Sequence, residues 1–241
     1  MRKAGLSIIR RVEGDEVRAP RGAPGKGTAS FRGVRISLGS CNLSHVVDCG
    51  EGRLRGGVLA SDEEINGVVC RKGSWLWLHP DGAISSIEPV LDARIDGVVC
   101  RAGRRTYFHE NGALMICYIP ADDTLMGVPL SSNTFLLFHE NGMLSAGRLA
   151  MDIVYRGVPC RSGKWIGFYD DGSLKRCFLA GNTIRDGVLL TAGCWVCFHR
   201  SGAIDSYKLP AEAVVQGRPC RRGDILLFDE EGRLVETVAP G

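Results

Sequence analysis

The sequence predicts an all-β fold built from tandem repeats of 30 residues. A glycine recurs every 30 residues from Gly67 to Gly217, with no insertion or deletion between the six copies. A second glycine in each copy follows an Asn or Asp in four of the six, and that residue pair is typical of tight hairpin turns. No long window shows the 3.6-residue periodicity of a helix. Internal repetition with hairpin turns therefore predicts the architecture.

The period divides the chain into an opening segment and a single array of seven repeats. Residues 1–32 do not fit the period and lie outside the repeat, with the stretch "GLSIIRRV" as a candidate for one added strand. Residues 33–66 form a divergent first repeat, in which Gly33, Gly39 and His45 match the first, seventh and thirteenth positions of the later copies. The later repeats are 67–96, 97–126, 127–156, 157–186, 187–216 and 217–241, the last of them truncated.

Each repeat is expected to contain three short strands: one at its "GV.C" start, one before the hairpin turn and one after it. Two apolar columns flank that turn and are expected to be core: Leu78, Phe108, Phe138, Phe168, Phe198 and Phe228 before it, and Ile84, Leu114, Leu144, Leu174, Ile204 and Leu234 after it. The favoured arrangement is an open, twisted meander or solenoid of stacked hairpins. A closed propeller-like ring is the first alternative, although 30 residues is short for a propeller blade, and a parallel β-helix is the second.

The hairpins share a sequence motif, for example "FDEEGRLVETV" at residues 228–238 and "FHENGALMICYI" at residues 108–119. An aromatic residue, a turn with glycine and a leucine recur in each of them. About 12 residues per repeat resemble the YD-type and MORN-type hairpin repeats. This resemblance implies a stacked hairpin shell or sheet that acts as a scaffold or a binding surface.

Composition excludes several classes of protein. A net charge of +3 with dispersed basic residues gives no electrostatic case for nucleic acid. No run of about 18 apolar residues exists, and the apolar stretch near the start is too short for a signal peptide, so we expect no membrane association and a cytoplasmic location. The ten cysteines lie at strand-like positions without paired spacing, which favours reduced thiols packed as small apolar side chains.

The strand before each hairpin turn alternates between two faces, because successive side chains of a strand point to opposite sides. One face carries the apolar columns. The other carries a strip of aromatic rings, which we take as the candidate ligand-binding residues: Trp75, Trp77, Tyr107, Phe135, Trp165, Tyr169 and Trp195. Such rings either cover the sheet or form a groove for a sugar, an aromatic compound or a peptide. Gly167 is expected to open space between Trp165 and Tyr169.

All five histidines of the chain occupy the thirteenth position of their repeats. The candidates for acid and base chemistry are His79, His109, His139 and His199, together with Asp229, which takes the histidine's place in the last repeat. Histidines at strand ends also hydrogen-bond their own turns. With three strands per repeat, equivalent side chains would lie about 14 Å apart, so we expect no metal site and no cofactor.

The residues therefore favour a non-catalytic repeat protein that binds a carbohydrate, an aromatic ligand or a partner protein through this strip. The alternative is an enzyme, such as a cyclase, isomerase or hydrolase of an apolar metabolite, that uses histidine and aspartate as acid and base. A purely structural role, with self-association through exposed sheet ends, is the third possibility. No sequence signature identifies a reaction, so whether the protein is an enzyme stays open.

Overall fold

The computed structural model describes the backbone of residues 10–11, 28–31, 34–37, 43–48, 54–65, 68–79 and 83–239. Side chains are described from residue 56 onward within those ranges, apart from residues 64, 68 and 69. The chain divides into two units, which are treated separately below. Unit 1 comprises Met1–Pro120 with His139–Gly142, and unit 2 comprises Ala121–Phe138 with Met143–Gly241.

All of the regular structure in the described residues is β-strand, which confirms the predicted class. Unit 1 contains β1 Arg10–Arg11, β2 Thr28–Phe31, β3 Val34–Ser37, β4 Leu43–Asp48, β5 Leu54–Leu59, β6 Glu63–Ile65, β7 Val68–Cys70, β8 Trp75–Leu78, β9 Ile84–Glu88, β10 Ala93–Ile95, β11 Val98–Cys100, β12 Thr106–Phe108 and β13 Leu114–Tyr118. Unit 2 contains β14 Asp123–Leu125, β15 Val128–Leu130, β16 Phe135–Phe138, β17 Leu144–Arg148, β18 Ile153–Tyr155, β19 Val158–Cys160, β20 Trp165–Phe168, β21 Leu174–Phe178, β22 Thr183–Arg185, β23 Val188–Leu190, β24 Trp195–Phe198, β25 Ile204–Lys208, β26 Ala213–Val215, β27 Arg218–Cys220, β28 Ile225–Phe228 and β29 Leu234–Val238.

Each unit is built on an antiparallel ladder whose strands follow chain order. In unit 1 the order is β1-β4-β5-β8-β9-β12-β13, and in unit 2 it is β16-β17-β20-β21-β24-β25-β28-β29. No pairing among the described strands joins the first strand of either ladder to its last, so the ring alternative is wrong for both units. The β-helix alternative is also wrong, because neighbouring strands of these ladders run antiparallel.

The remaining strands form separate two-stranded hairpins, so the prediction of three strands per repeat is wrong. Residues 67–96 contain four strands, β7 to β10, and the 30-residue copies in unit 2 show the same division. The missed strand ends just before the "GV.C" glycine. At the β10–β11 turn Asp96 and Gly97 both have positive φ, 51° and 84°, which is the signature of a two-residue type I′ turn. The glycine that marks the period therefore lies in a hairpin turn and not at the start of a strand.

A β-bulge recurs at one position in each ladder hairpin. Tyr107 pairs with Ile116 but Phe108 pairs with Leu114, so Met115 is the extra residue. The same shift occurs in the six later ladder hairpins, with these extra residues: Ser85, Met115, Ser145, Lys175, Asp205 and Val235. The β4–β5 hairpin has it as well, with Arg55 as the extra residue. A bulge bends its strand and increases the local twist, so every ladder hairpin is twisted at the same place.

The core lies on the inward face of each ladder. The two predicted columns are buried throughout, and Phe108 and Leu114 are only 2% and 1% exposed. The inward side chains of the small hairpins, such as Val98 and Cys100, are buried as well. Complete burial of one such side chain stabilises the fold by roughly 1.5–3 kcal/mol, so every copy of the repeat contributes to the packing energy.

Candidate functional site

The outward face of the ladders carries the aromatic side chains that the sequence singled out. In β8, Leu76 and Leu78 are buried whereas Trp75 and Trp77 are partly exposed. The strands β16, β20, β24 and β28 begin with the same pattern, an exposed or half-exposed side chain followed by a buried one. The aromatic side chains at the ninth and eleventh repeat positions therefore lie on the face opposite the core.

In unit 1 an outward cluster is centred on Trp75 and Trp77. The rings of Trp75 and Trp77 are stacked, with centroids 5.8 Å apart and planes 13° apart. The guanidinium carbon of Arg105 lies 5.3 Å from the centroid of the Trp77 ring, within the range of a cation–π contact. Trp77 Nε1 is buried and has no hydrogen-bond partner among the described residues. Tyr107, also outward-facing, pairs with Ser86 in the neighbouring strand.

In unit 2 one outward cluster is centred on Trp165. The centroids of Phe135 and Trp165 lie 4.8 Å apart with their planes tilted by 44°. Arg148 pairs with Trp165 across β17 and β20, and its side chain donates a hydrogen bond of 2.9 Å from Nε to the carbonyl oxygen of Gly163. This bond holds the Arg148 guanidinium against the turn at Gly163.

A second cluster in unit 2 joins Phe178 and Trp195, which are paired across β21 and β24. Their rings meet edge to face with centroids 5.5 Å apart, and Lys164 Nζ lies 4.9 Å from the Phe178 centroid. Trp195 is 43% exposed, more than any other aromatic side chain among the described residues. Sequence reasoning missed Phe178 because the twenty-second repeat position holds Tyr118, Arg148 and Lys208 in other copies.

The spacing of equivalent side chains differs from the sequence expectation. Only two strands of each repeat belong to the ladder, since the other two form a small hairpin. Equivalent outward positions in neighbouring repeats of one unit are therefore about 10 Å apart at two strand spacings, instead of about 14 Å. The aromatic strip is denser than the sequence predicted.

The thirteenth repeat position has a structural function. His79 Nε2 lies 3.1 Å from the carbonyl oxygen of Phe108, and His199 Nε2 lies 2.9 Å from that of Phe228, each in the following repeat. A carbonyl oxygen can only accept, so Nε2 carries the proton in both rings. In the described residues no group of three or more His, Cys, Asp or Glu side chains has an arrangement that could hold a metal ion. These two histidines link successive hairpins.

The other candidates for acid and base chemistry, His109, His139 and Asp229, also occupy the thirteenth repeat position. His109 and His139 are half-buried, and the backbone carbonyl of each accepts the amide of the turn glycine three residues later. Asp229 accepts hydrogen bonds from the backbone amides of Glu231 and Arg233, and it forms an ion pair with the Arg233 side chain at 2.8 Å. The backbone amide and guanidinium of Arg233 lower the pKa of Asp229 below its ordinary value.

Tyr169 belongs with the histidines and not with the aromatic strip. Its hydroxyl donates a hydrogen bond of 2.9 Å to the carbonyl oxygen of Phe198, which matches the bonds from His79 and His199. Burial and the nearby carboxylate of Asp205 raise the pKa of Tyr169. The expected gap at Gly167 is filled, because a Cβ there would lie 3.0 Å from Cγ of Arg176.

Comparisons with known proteins leave the family of this chain open. No protein-family model and no curated protein matches the chain. Among solved structures it is similar to the modular autolysin LytC from Streptococcus pneumoniae, with 14% identity and a TM-score of 0.13 over 96% of this chain and 53% of that one. This chain therefore spans about half the length of the autolysin it matches. Among the described residues, no helix has the length and apolar character that a membrane span requires.

Proposed function

We propose that this protein is a non-catalytic binding protein whose outward strip recognises an acidic segment of a partner protein. The strip consists of the aromatic and cationic side chains on the outward face of unit 2: Phe135, Arg148, Lys164, Trp165, Arg176, Phe178, Trp195 and Lys208. One observation carries the proposal: Trp195 is 43% exposed on a face where cations flank paired aromatic rings.

The composition of this strip favours a macromolecular partner. Aromatic residues and arginine are enriched at the centres of protein interfaces, where they supply most of the binding energy. The ladder presents its rings along a row of strands, whereas small molecules are usually held in concave pockets. Extended ligands can contact several rings that lie about 10 Å apart at two strand spacings.

The positive charge of the outward strip favours an acidic partner. Arg148, Lys164, Arg176 and Lys208 are exposed on this face, and Lys164 lies over the Phe178 ring; Glu236 is an exposed acid on the last outward strand. A cationic surface speeds association with acidic partners and disfavours basic ones. We therefore assign acidic residues with interspersed aromatic or apolar residues to the partner.

We also propose that the 30-residue copies are repeats stacked in an open meander. Their hairpin sequences resemble those of YD-type and MORN-type repeats. A cytoplasmic location is proposed because the eight cysteines in the described residues are free thiols, the state typical of a reducing compartment.

The binding test uses a random copolymer of glutamate and tyrosine as an acidic aromatic polypeptide. We expect it to bind with an affinity that falls as salt rises. Trp195→Ala removes the exposed ring and is expected to weaken binding by about 2 kcal/mol, or roughly thirtyfold in Kd. Lys164→Glu is expected to weaken it further at low salt. Ile184→Ala, which alters an exposed residue on a small hairpin, is the matched control.

Other ligands form the comparison arms of the same experiment. Heparin represents an acidic polysaccharide, and free indole represents an aromatic metabolite. If heparin binds through Trp195 while the polypeptide does not bind, the partner-protein proposal is wrong and a carbohydrate takes its place. If Trp195→Ala and Ile184→Ala bind the polypeptide equally well, the outward strip is not the binding surface.

A further inference from the structure

Outside the outward strip, two pairs of buried thiols lie where a small hairpin packs against a ladder. Cys100 of β11 and Cys117 of β13 are both 0% exposed, and so are Cys160 of β19 and Cys177 of β21. A Cβ at Gly147 would lie 3.7 Å from Cγ of Leu130, and these two residues occupy the same repeat positions as Cys117 and Cys100, so side chains at the two positions are in contact. The same arrangement thus occurs in two separate repeats, one in each unit.

The cysteines of each pair are diagonal neighbours on hydrogen-bonded strands, because the residue directly opposite Cys160 is Leu179. The amide that follows the first cysteine bonds the carbonyl oxygen that follows the second: Arg101 to Tyr118 at 2.7 Å, and Arg161 to Phe178 at 2.9 Å. Cys100 and Cys160 each point a thiol at the carbonyl oxygen two residues earlier, 3.8 Å and 3.4 Å away. The sulfur atoms of each pair are therefore fixed relative to each other by two strands.

Other repeats show that packing does not require two thiols here. At the equivalent positions stand Cys70 with Ile87, Leu130 with Gly147, Leu190 with Tyr207, and Cys220 with Thr237. At Gly147 a Cβ would come within 2.6 Å of Leu130, so a large and a small residue fill the site in that repeat. Apolar packing can thus be achieved without a second sulfur.

We propose that Cys100–Cys117 and Cys160–Cys177 are two disulfide-forming sites that covalently tie a small hairpin to its ladder under oxidation. The S–S bond is about 2 Å long, so the two sulfur atoms of each contacting pair must move together to form it. Each reaction breaks two S–H bonds and forms one S–S bond, and it passes two electrons and two protons to the oxidant. With diamide, a diazene, the N=N bond accepts them and becomes a hydrazine.

The acidity of the thiols supports this chemistry in unit 2. The hydrogen bond from Cys177 lowers the pKa of Cys160, whereas donation and burial raise the pKa of Cys177. The thiolate is the reactive form of cysteine, so Cys160 is the attacking sulfur and Cys177 the resolving one. Burial means that the oxidant reaches the pair during local opening, which predicts slow oxidation.

The test uses the full chain with Cys41→Ser, Cys49→Ser, Cys194→Ser and Cys197→Ser, which removes the two cysteines outside the described residues and the two half-buried thiols among the described ones. After treatment with diamide, peptide mapping under non-reducing conditions is expected to find the links 100–117 and 160–177, with Cys70 and Cys220 still reduced. Each link shortens the loops available to the unfolded chain, so the thermal midpoint is expected to rise by roughly 5–10 °C. Reduction should reverse the shift.

The control variants copy a pair that the chain already contains. Cys117→Thr and Cys177→Thr each reproduce the Cys220 and Thr237 pair, and each should abolish its own link and leave the other intact. Far-ultraviolet circular dichroism checks that both variants fold. Links that join cysteines of different repeats, or the two predicted links forming only in urea, would overturn the proposal. So would a folded protein in which all four thiols survive prolonged diamide treatment.

Discussion

The inward and outward faces of the ladders keep the 30-residue period with different strictness. At the inward twelfth position Leu78 is followed by five phenylalanines, and all six side chains are buried. The outward eleventh position holds Trp77, Tyr107, Leu137, Gly167, Cys197 and Leu227. Inward side chains fill a closed volume in which a change of size is costly, whereas outward side chains meet water. The period is thus a consequence of inward packing, and the outward face departs from it.

The sharpest test of this comparison uses two adjacent residues of β20. Ile166 is 0% exposed on the inward face, and Ile166→Ala is expected to lower the free energy of unfolding by about 2–5 kcal/mol. Trp165 lies on the outward face, and Trp165→Ala is expected to lower it by about 1 kcal/mol, mainly through its ring contact with Phe135. Urea unfolding followed by circular dichroism measures both values. Equal losses would mean that the two faces are equally well packed.

Much of this contrast was predictable from the sequence, because it depends on columns. The inward phenylalanines and the glycines of the ladder hairpin turns, such as Gly112, recur at fixed positions, and the structure confirms both. The fourth strand was missed because it is three residues long and its turn varies between copies: Asp96-Gly97 and Asp186-Gly187 match the hairpin signal, whereas Met126-Gly127 and Arg156-Gly157 do not.

The structural function of the thirteenth position was not predictable. The sequence shows a histidine column, but the bond from His199 to the Phe228 carbonyl depends on the distance between hairpins and on the bulge that twists them. Neither quantity can be read from spacing. The partnership of Phe178 with Trp195 was missed for a related reason, since the pairing of β21 with β24 brings together two positions that no single column contains.

Tyr169→Phe tests whether the thirteenth position stabilises the array. Loss of the hydroxyl removes the hydrogen bond to the Phe198 carbonyl and leaves the ring in place, so the free energy of unfolding is expected to fall by about 1 kcal/mol. The pKa of Tyr169 is raised in the fold, so its contribution is present below the ordinary pKa of about 10 and is lost as pH rises through the folded value.

The measurement for Tyr169 is the urea midpoint of both proteins between neutral pH and a pH above 10. The difference between wild type and Tyr169→Phe is expected to be constant up to the ordinary tyrosine pKa and to shrink beyond it. A difference that is zero at neutral pH would show that the bond between repeats adds nothing to stability.

Asp152 is expected to make a smaller contribution to stability, and this contribution depends on pH. Its carboxylate accepts the backbone amide of Ser162 at 2.6 Å, and this hydrogen bond lowers the pKa of Asp152. Its contribution is therefore present above the ordinary pKa of about 4 and is lost as pH falls through the folded value. Asn182 makes the same bond to Ala192 at 2.8 Å, so Asp152→Asn is expected to keep the bond and Asp152→Ala to lose it. The measurement is the thermal midpoint of each variant at pH 7 and pH 3. Equal midpoints for Asp152→Ala and wild type at pH 7 would contradict the prediction.

The smallest effect concerns a turn where the chain departs from its own pattern. Met126 has a φ of 53° in the turn where other copies have Asp96 or Asp186, and methionine is poorly suited to left-handed backbone. Asp186 also accepts the amide of Ile204 at 2.8 Å, a position that corresponds to Leu144 in the repeat that follows Met126. Met126→Asp is therefore expected to raise the free energy of unfolding by about 0.5–1 kcal/mol through relief of strain and an added acceptor.

Met126→Gly relieves the strain alone, so a gain equal to that of Met126→Asp would show that the carboxylate contributes nothing. A loss of stability with both variants would mean that the half-exposed methionine side chain stabilises the turn more than its backbone conformation destabilises it.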